Sequence, residues 1–431
     1  APALVRSDDG ELAISTETSR EQLQQLSRLG LNPRQDQGWL RLKAEGERLT
    51  LGRPWRLVLD LPSDTALTSL NRPSDNSQNT ALAALQRQGL VLNRRVGRIG
   101  NRQVLINSVQ LDPRRVPVDL RPLNRASGMK GLSSLSQLAR NESALIAING
   151  GFFNRVNRLP LGALKDNGQW LSGPILNRGA VGWGDGELPQ FDRLRLQETV
   201  VDQRQQRWAL SSLNSGYVQK GVARYTEAWG PRYQPLTGKE QGFVVRDGVV
   251  QQRIEAIPQP GVPLRAGDML LVTRGGLKAD WQPGERLVIS SRSTSVVGDK
   301  PFVVGGGPLL LRSGLVALNG QAEGFSPGFI RQGAPRTVIA SDGRQLWLIT
   351  LQGVNNAGPT LMETALLLKQ QGLKEALNLD GGSSTGLVLA DVQTVKGRGI
   401  AGSVHNGIGL IPRVPMPMPN RPPARLASSP P

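Results

Sequence analysis

Asn-Gly and Asp-Gly pairs set the terms on which this chain can fold. They stand at Asn149-Gly150, Asn167-Gly168, Asp185-Gly186, Asp247-Gly248, Asn319-Gly320, Asp342-Gly343 and Asn406-Gly407, and each interrupts a short apolar run. Such pairs let the backbone take the positive φ that tight turns need, and the runs between them have strand length. With 51 Gly and 30 Pro, the chain reads as α+β, β-rich and turn-rich with few helices. Two helical patterns stand out. Leu132, Leu135 and Leu138 predict a helix over Leu132 to Ala139. Leu361, Ala365 and Leu368 share a face from Leu361 to Gln371, and Gly372 follows as a stop. A strand at Leu346–Leu351, that helix, and a strand at Ala376–Leu379 form a crossover, which predicts that the two strands run parallel.

Residues 1–90 read as a small N-terminal αβ module. Glu11 to Thr16, Trp39 to Leu42 and Arg56 to Leu61 have strand patterns, Ser19 to Leu29 is a short helix, and Ala81 to Leu85 turns helical. The phrase RLVLDLP at Arg56–Pro62 resembles, over seven residues, a strand phrase of the cell-wall-binding AMIN domains. A plain αβ packing module explains the pattern more simply, and a glycan- or wall-binding role is the alternative. Residues 91–412 form the main domain. The Pro-rich stretch 413–431 favours extended polyproline II and reads as a disordered tail.

Composition removes much of the catalytic repertoire. There is no Cys and only one His, His405, which excludes disulfides, thiol nucleophiles, Cys–zinc sites and multi-His metal centres. His405 itself reads as structural. A formal charge of +18 favours anionic partners. The excess is spread along the chain as arginine, and aromatics are 4% of residues, so general basicity explains it better than a nucleic-acid site. No apolar run nears the roughly 18 residues of a membrane span. The chain starts Ala1-Pro2-Ala3, as after removal of an export signal, and the expected location is periplasmic, cell-envelope or extracellular.

Chemistry concentrates in five stretches. ALNLDGGSSTGLVL (Ala376–Leu389) is a strand broken by Asp380-Gly381-Gly382 and followed by Ser383, Ser384 and Thr385. It reads either as a hairpin turn or as a site where a polar ligand meets bare backbone. AINGGFFN (Ala147–Asn154) places Asn149, Gly150 and Gly151 at a strand tip. VVGGGPLL (Val303–Leu310) repeats the design with Gly305, Gly306 and Gly307, without the spacing of a dinucleotide fold. Arg336-Thr337 opens a strand with a guanidinium fork that suits phosphate or carboxylate and reads equally as a surface ion pair in a chain this rich in arginine. Thr360-Leu361-Met362-Glu363 is a capping box, which leaves Glu363 divided between structure and catalysis.

Taken in order, AINGGFF, GGGP (Gly305–Pro308), PRT (Pro335–Thr337), the Glu363 helix and NLDGGSST (Asn378–Thr385) resemble the phosphodiester glycosidase family, from about Val91 to Pro412. Many relatives read LDGGGS, whereas here Ser383 directly follows Gly382. The resemblance implies a hydrolase that cleaves a sugar-1-phosphodiester to free sugar and a phosphomonoester. It assigns Asp380 and Glu363 as catalytic carboxylates, and Arg336 and Thr337, with N–H groups of Gly150, Gly306, Gly307, Gly381 and Gly382, as the phosphate clamp. Asn149 and Asn378 would meet sugar hydroxyls, and Ser383 and Ser384 would complete the floor. No cofactor is demanded, and no residues are assigned to a metal. Oxygens of Asp380, Glu363 and nearby carbonyls would nonetheless suit Ca²⁺ or Mg²⁺. The alternative is a non-catalytic wall- or exopolysaccharide-binding protein on the same fold.

Overall fold

The computed structural model describes residues 5–8, 11–28, 33–43, 47–51, 56–60, 76–100, 102–353, 358–399 and 401–413. Among these, the residues up to Asn76, with Arg398 and Gly399, form one compact unit, and those from Ser77 onward form another. The expected Pro-rich tail lies beyond the described residues from 414 on.

In the smaller unit four antiparallel strands stand in the order Val5–Asp8, Glu11–Ser15, Trp39–Lys43, Arg34–Asp36. The helix Arg20–Arg28 connects the second strand to the Arg34–Asp36 edge, and Ile14, Leu40 and Leu42 are buried. Glu47–Leu51 and Arg56–Asp60 pair as a separate ribbon. The strand part of the RLVLDLP phrase falls in that ribbon, while its last two residues lie outside the described ones.

The larger unit is β-rich and built from four main sheets. One is seven-stranded and wholly antiparallel, in the order Leu315–Val316, Leu309–Arg312, Glu375–Asn378, Arg336–Ser341, Leu346–Gly353, Arg102–Leu111, Val91–Ile99. A five-stranded antiparallel sheet runs Val392–Lys396, Gly386–Leu389, Ile146–Asn149, Gly407–Pro412, Val118–Leu123. A second five-stranded sheet contains Phe302–Gly305 and Gly179–Trp183 at its centre. The remaining seven-stranded sheet spans the strands between Leu196 and Ser293, with one parallel pair, Arg207–Leu213 beside Gly221–Thr226.

Strand alternation explains how the first two sheets are covered. Ile339 and Leu377 point into a core shared with Ile146, Ile148, Ile408 and Leu410, while Val338, Ala340 and Ala376 point the other way onto the helix Leu361–Gln370. On the five-stranded sheet Ala147 and Val388 likewise meet the helix Leu135–Asn141. Each sheet therefore carries a helix on one face and the shared core on the other. Full burial of an Ile or Leu there contributes about 1.5–3 kcal/mol.

Two helix boundaries repay comparison with the sequence. The first helix begins at Leu135 rather than Leu132, because Ser133–Ser134 first pairs with Ser403–Val404 and Ser134 then caps the Gln137 amide. The second ends as expected: Gln371 is its C-cap and Gly372 follows with φ +81°. The crossover strands Leu346–Gly353 and Glu375–Asn378 do point the same way. They are not neighbours, since Arg336–Ser341 lies between them and is antiparallel to both. No helix of the described residues is long and apolar enough to cross a membrane.

Some Asn-Gly and Asp-Gly pairs are two-residue hairpins. Asn167-Gly168 and Asp247-Gly248 each have positive φ at both residues and join adjacent antiparallel strands. The three glycine-rich stretches with chemical side chains are different. Asn149-Gly150-Gly151 leaves one five-stranded sheet for the other, Gly305-Gly306-Gly307 leaves that one for the seven-stranded sheet, and Asp380-Gly381-Gly382 leads back to the first. The hairpin reading of Asp380-Gly381 is therefore overturned, because the strands on its two sides belong to different sheets.

Candidate active site

The three crossovers meet. Asp380 donates its backbone N–H to the Gly150 carbonyl at 3.0 Å, and Gly307 donates to the Asn378 carbonyl at 2.7 Å. Contact is close enough to require glycine: a Cβ at Gly151 would lie 2.4 Å from the Gly305 carbonyl oxygen, and one at Gly306 2.5 Å from that of Asn378. Three sheet ends are thus held together backbone to backbone, with Asp380 at the junction.

Asn149 is the peg of this junction. Fully buried, its amide donates to the Asp380 carbonyl at 2.7 Å and accepts from the Thr337 hydroxyl at 2.6 Å and the Gly386 N–H at 3.0 Å. Asn378 is equally buried, and its amide donates to the carbonyls of Gly307 and Leu379 at 2.8 and 2.9 Å. In this structure both asparagines, expected to meet sugar hydroxyls, turn inward: Asn149 is fully engaged with backbone and Thr337, while Asn378 Oδ1 has no hydrogen-bond partner among the described residues. Thr337 is closed off by the same bond to Asn149. All five glycine amides expected in the clamp are also engaged, Gly307 with Asn378 as above. Gly150 donates to the Asn406 carbonyl, Gly306 to Gly179, Gly381 to the Asp380 carboxylate and Gly382 to Pro335.

Arg336 is 2% exposed, and its guanidinium donates to the carbonyls of Pro359, at 3.1 Å, and Gln332. It lies 5.7 Å from the Phe329 ring centroid and has no carboxylate partner among the described residues. Burial pushes it down to about 10. It passes beside Gly381, where a Cβ would lie 2.8 Å from the Pro335 carbonyl oxygen and in ordinary contact with the Arg336 side chain. Arg336 is a buried tie that carries positive charge, and it does not offer its fork to the surface as the sequence suggested. Phe329 stacks on Phe325 at 4.9 Å, and Phe152 closes the cluster. Arg178 sits 4.1 Å over Phe325.

Glu363 completes a capping box: one carboxylate oxygen accepts the Thr360 N–H at 2.8 Å, while the Thr360 hydroxyl accepts the Glu363 N–H. The other oxygen pairs with Arg102. Burial raises its pKa, but the Thr360 bonds and Arg102 outweigh that and hold it below the usual value. Both oxygens have structural work, which is the reason Glu363 does not stand as a free second carboxylate.

Asp380 differs from all of these. It keeps part of its surface open, although surrounding protein raises its pKa to about 6. Burial is the cause of the rise; the Ser384 hydroxyl, the Arg155 guanidinium and the Gly381 N–H pull in the opposite direction. Gly381 and Gly382 are partly open beside it, Ser383 is exposed and Ser384 buried. Among the described residues no three Asp, Glu or His side chains are grouped to hold a metal ion.

Sequence reasoning missed two contributors. Arg155 follows AINGGFFN directly and nothing in its own residue type marks it among so many arginines. Asn406 accepts the Gly151 N–H at 2.8 Å, and its amide donates to His405 Nδ1 at 3.2 Å. His405 Nε2 in turn donates to the Met129 carbonyl at 2.7 Å, and burial lowers its pKa, so the ring is neutral and structural.

A family model for phosphodiester glycosidases matches residues 230–411. A hypothetical protein from Synechocystis, known from its crystal structure, is 33% identical with a TM-score of 0.72, the match covering 95% of this chain and 75% of that one. The chain belongs to the phosphodiester glycosidase family. Ala147–Phe153 precedes the family-model match, yet the fold brings it to the same junction. A candidate exported protein of Burkholderia pseudomallei K96243 shares the fold, at 17% identity and TM-score 0.59, covering 95% of this chain and 96% of that one. The catalytic domain of zebrafish N-acetylglucosamine-1-phosphodiester alpha-N-acetylglucosaminidase, auto-inhibited by its pro-peptide, also matches, at 17% identity and TM-score 0.41, over 74% of this chain and 83% of that one. No curated protein matches at a significant level. Membership of this family supports a glycosidase-type hydrolase.

Proposed function

We propose that the protein hydrolyses a sugar-1-phosphodiester to free sugar and a phosphomonoester, with Asp380 as general base. One observation carries the reading: Asp380 is a partly open carboxyl whose pKa, about 6, is poised for proton transfer near neutrality. Ser384 orients the carboxylate, and the Ser383 hydroxyl is free to meet substrate. A phosphate ester leaves readily without a strong general acid, so one carboxylate suffices where ordinary glycosidases use two. Water then attacks from the face opposite the leaving phosphate, and the anomeric configuration inverts. Asn149, Asn378 and the glycine crossovers hold Asp380 in place and make no contact with substrate in this reading. An exported location fits the absence of cysteine and the exported candidate that shares the fold.

The test is sugar release from a panel of sugar-1-phosphodiesters, beginning with an α-N-acetylglucosamine-1-phosphate ester, by wild type and Asp380→Asn. Wild type releases sugar of inverted configuration, seen by NMR, and the variant loses at least about 10³-fold in kcat. Turnover retained in Asp380→Asn removes Asp380 from the chemistry. No turnover on any member, with affinity for wall glycans, points instead to a binding protein.

A further inference from the structure

The phosphate clamp assigned by residue type, Arg336, is buried, and this leaves open which group meets the phosphate. We infer that Arg155, at the tip of the loop that follows the Ile146–Asn149 strand, is the guanidinium that holds the substrate phosphate and takes up the charge it gains. The inference rests on the proposed phosphodiester reading and adds the recognition residue to it.

The loop is built to hold its tip still. Asn154 Oδ1 accepts the N–H groups of Val156 and Asn157 at 2.9 and 3.2 Å, and the Asn154 backbone N–H donates to the Leu159 carbonyl at 2.9 Å. At its base Phe153 bridges Pro160, Leu161 donates to Phe152, and Gly216 donates to Pro160. The chain enters the loop through Gly150, whose carbonyl holds the Asp380 amide, so the loop and Asp380 share one backbone support. Arg155 is exposed and makes no hydrogen bond or ion pair among the described residues, in contrast to Arg336. Its charge nevertheless acts on Asp380. A rigid loop that presents an uncommitted guanidinium beside a reactive carboxyl is pre-organised for an anion.

The chemistry gives that position a purpose. Water adds to the anomeric carbon while its proton passes to Asp380. The bond from that carbon to the phosphate oxygen breaks, and its electron pair goes to the phosphate, which leaves as a dianion where it had been a monoanion. A cation on the phosphate therefore binds the transition state more strongly than the substrate. The groups facing Asp380 are Arg155 from this loop, the Ser384 hydroxyl and Gly381 N–H from its own crossover, and the Asn149 amide on its carbonyl.

The experiment compares wild type, Arg155→Ala and Arg155→Lys in full-length protein, all being substitutions at an exposed site. Two readouts are taken: binding of inorganic phosphate by calorimetry, and kcat/KM on a sugar-1-phosphodiester against an uncharged aryl glycoside of the same sugar. Arg155→Ala should weaken phosphate at least about tenfold and lower kcat/KM on the phosphodiester roughly 30- to 100-fold, with less than about threefold change on the neutral glycoside. Arg155→Lys should recover part of the loss, keeping charge without the fork. The acid limb of the Arg155→Ala pH profile should move to higher pH, because a cation near Asp380 has been removed. Equal losses on charged and neutral substrates, or phosphate affinity unchanged in Arg155→Ala, overturn the assignment while leaving a wild-type phosphodiesterase reaction intact. A wild type without turnover whose phosphate binding depends on Arg155 sinks the proposed reaction and keeps the anion site. A wild type that does not bind phosphate at all sinks the site.

Discussion

Asp380 is ionised at neutral pH by a narrow margin, and that margin is measurable. With a folded pKa of about 6 against an ordinary 3.8, the folded protein retains a proton that the unfolded chain releases between those values. Stability contributed by this group therefore falls as pH rises from 3.8 to about 6, and the full cost is present above that. Asp380→Asn should accordingly raise unfolding stability by up to about 3 kcal/mol at pH 7 and by nothing near pH 3, as read by denaturant titration. In wild type, kcat/KM should climb through about pH 6 and level off above it, since the base must be deprotonated. A profile flat from pH 5 to 8 would remove Asp380 as the base. Asp380 stood out in the sequence as the carboxylate of an Asp-Gly-Gly-Ser-Ser run at a strand end, and the structure places it where three crossovers meet. Arg155 did not stand out, since residue type cannot tell a free arginine from the paired ones, and exposure together with a lack of partners is decided only in three dimensions. Arg336 misled for the same reason in reverse: a guanidinium at a strand start looks available until its carbonyl partners and burial are known.

At the level of elements, the helix Leu361–Gln370 was readable to within a residue because its cap, its apolar face and its stop glycine all agree. The capping box also accounts for Glu363. Glu363→Gln should lose about 1 kcal/mol of stability, from a weakened cap and the Arg102 pair, and should leave kcat/KM within about threefold of wild type. A loss of 100-fold or more without unfolding would restore Glu363 to the chemistry. The glycine-rich bends were recognised as breaks but not as crossovers. A local signal such as Asp-Gly fixes that the chain turns, whereas the partner strands are chosen by distant segments: Leu377 pairs with Leu309 and Ile339, but Leu387 with Ile148. The parallel strands of the predicted crossover show the same limit, since direction followed from the helix between them and adjacency did not.

At the level of the whole molecule, the bonds that shape the site join residues far apart in the chain. Asn149 to Asp380 spans 231 positions, Thr337 to Asn149 spans 188, and Gly151 to Asn406 spans 255. Loop closure of that length comes late, after hairpins such as Arg336–Ser341 with Leu346–Gly353 have formed locally. On dilution from denaturant, strand signal in circular dichroism should return first and phosphodiester turnover last, in a separate slower phase. Coincident recovery would mean that the junction forms together with the sheets. The three-way junction thus behaves as a lock turned only by the completed fold: a partly assembled chain has its strands but not the arrangement around Asp380, so the proposed activity waits on the last long-range contacts.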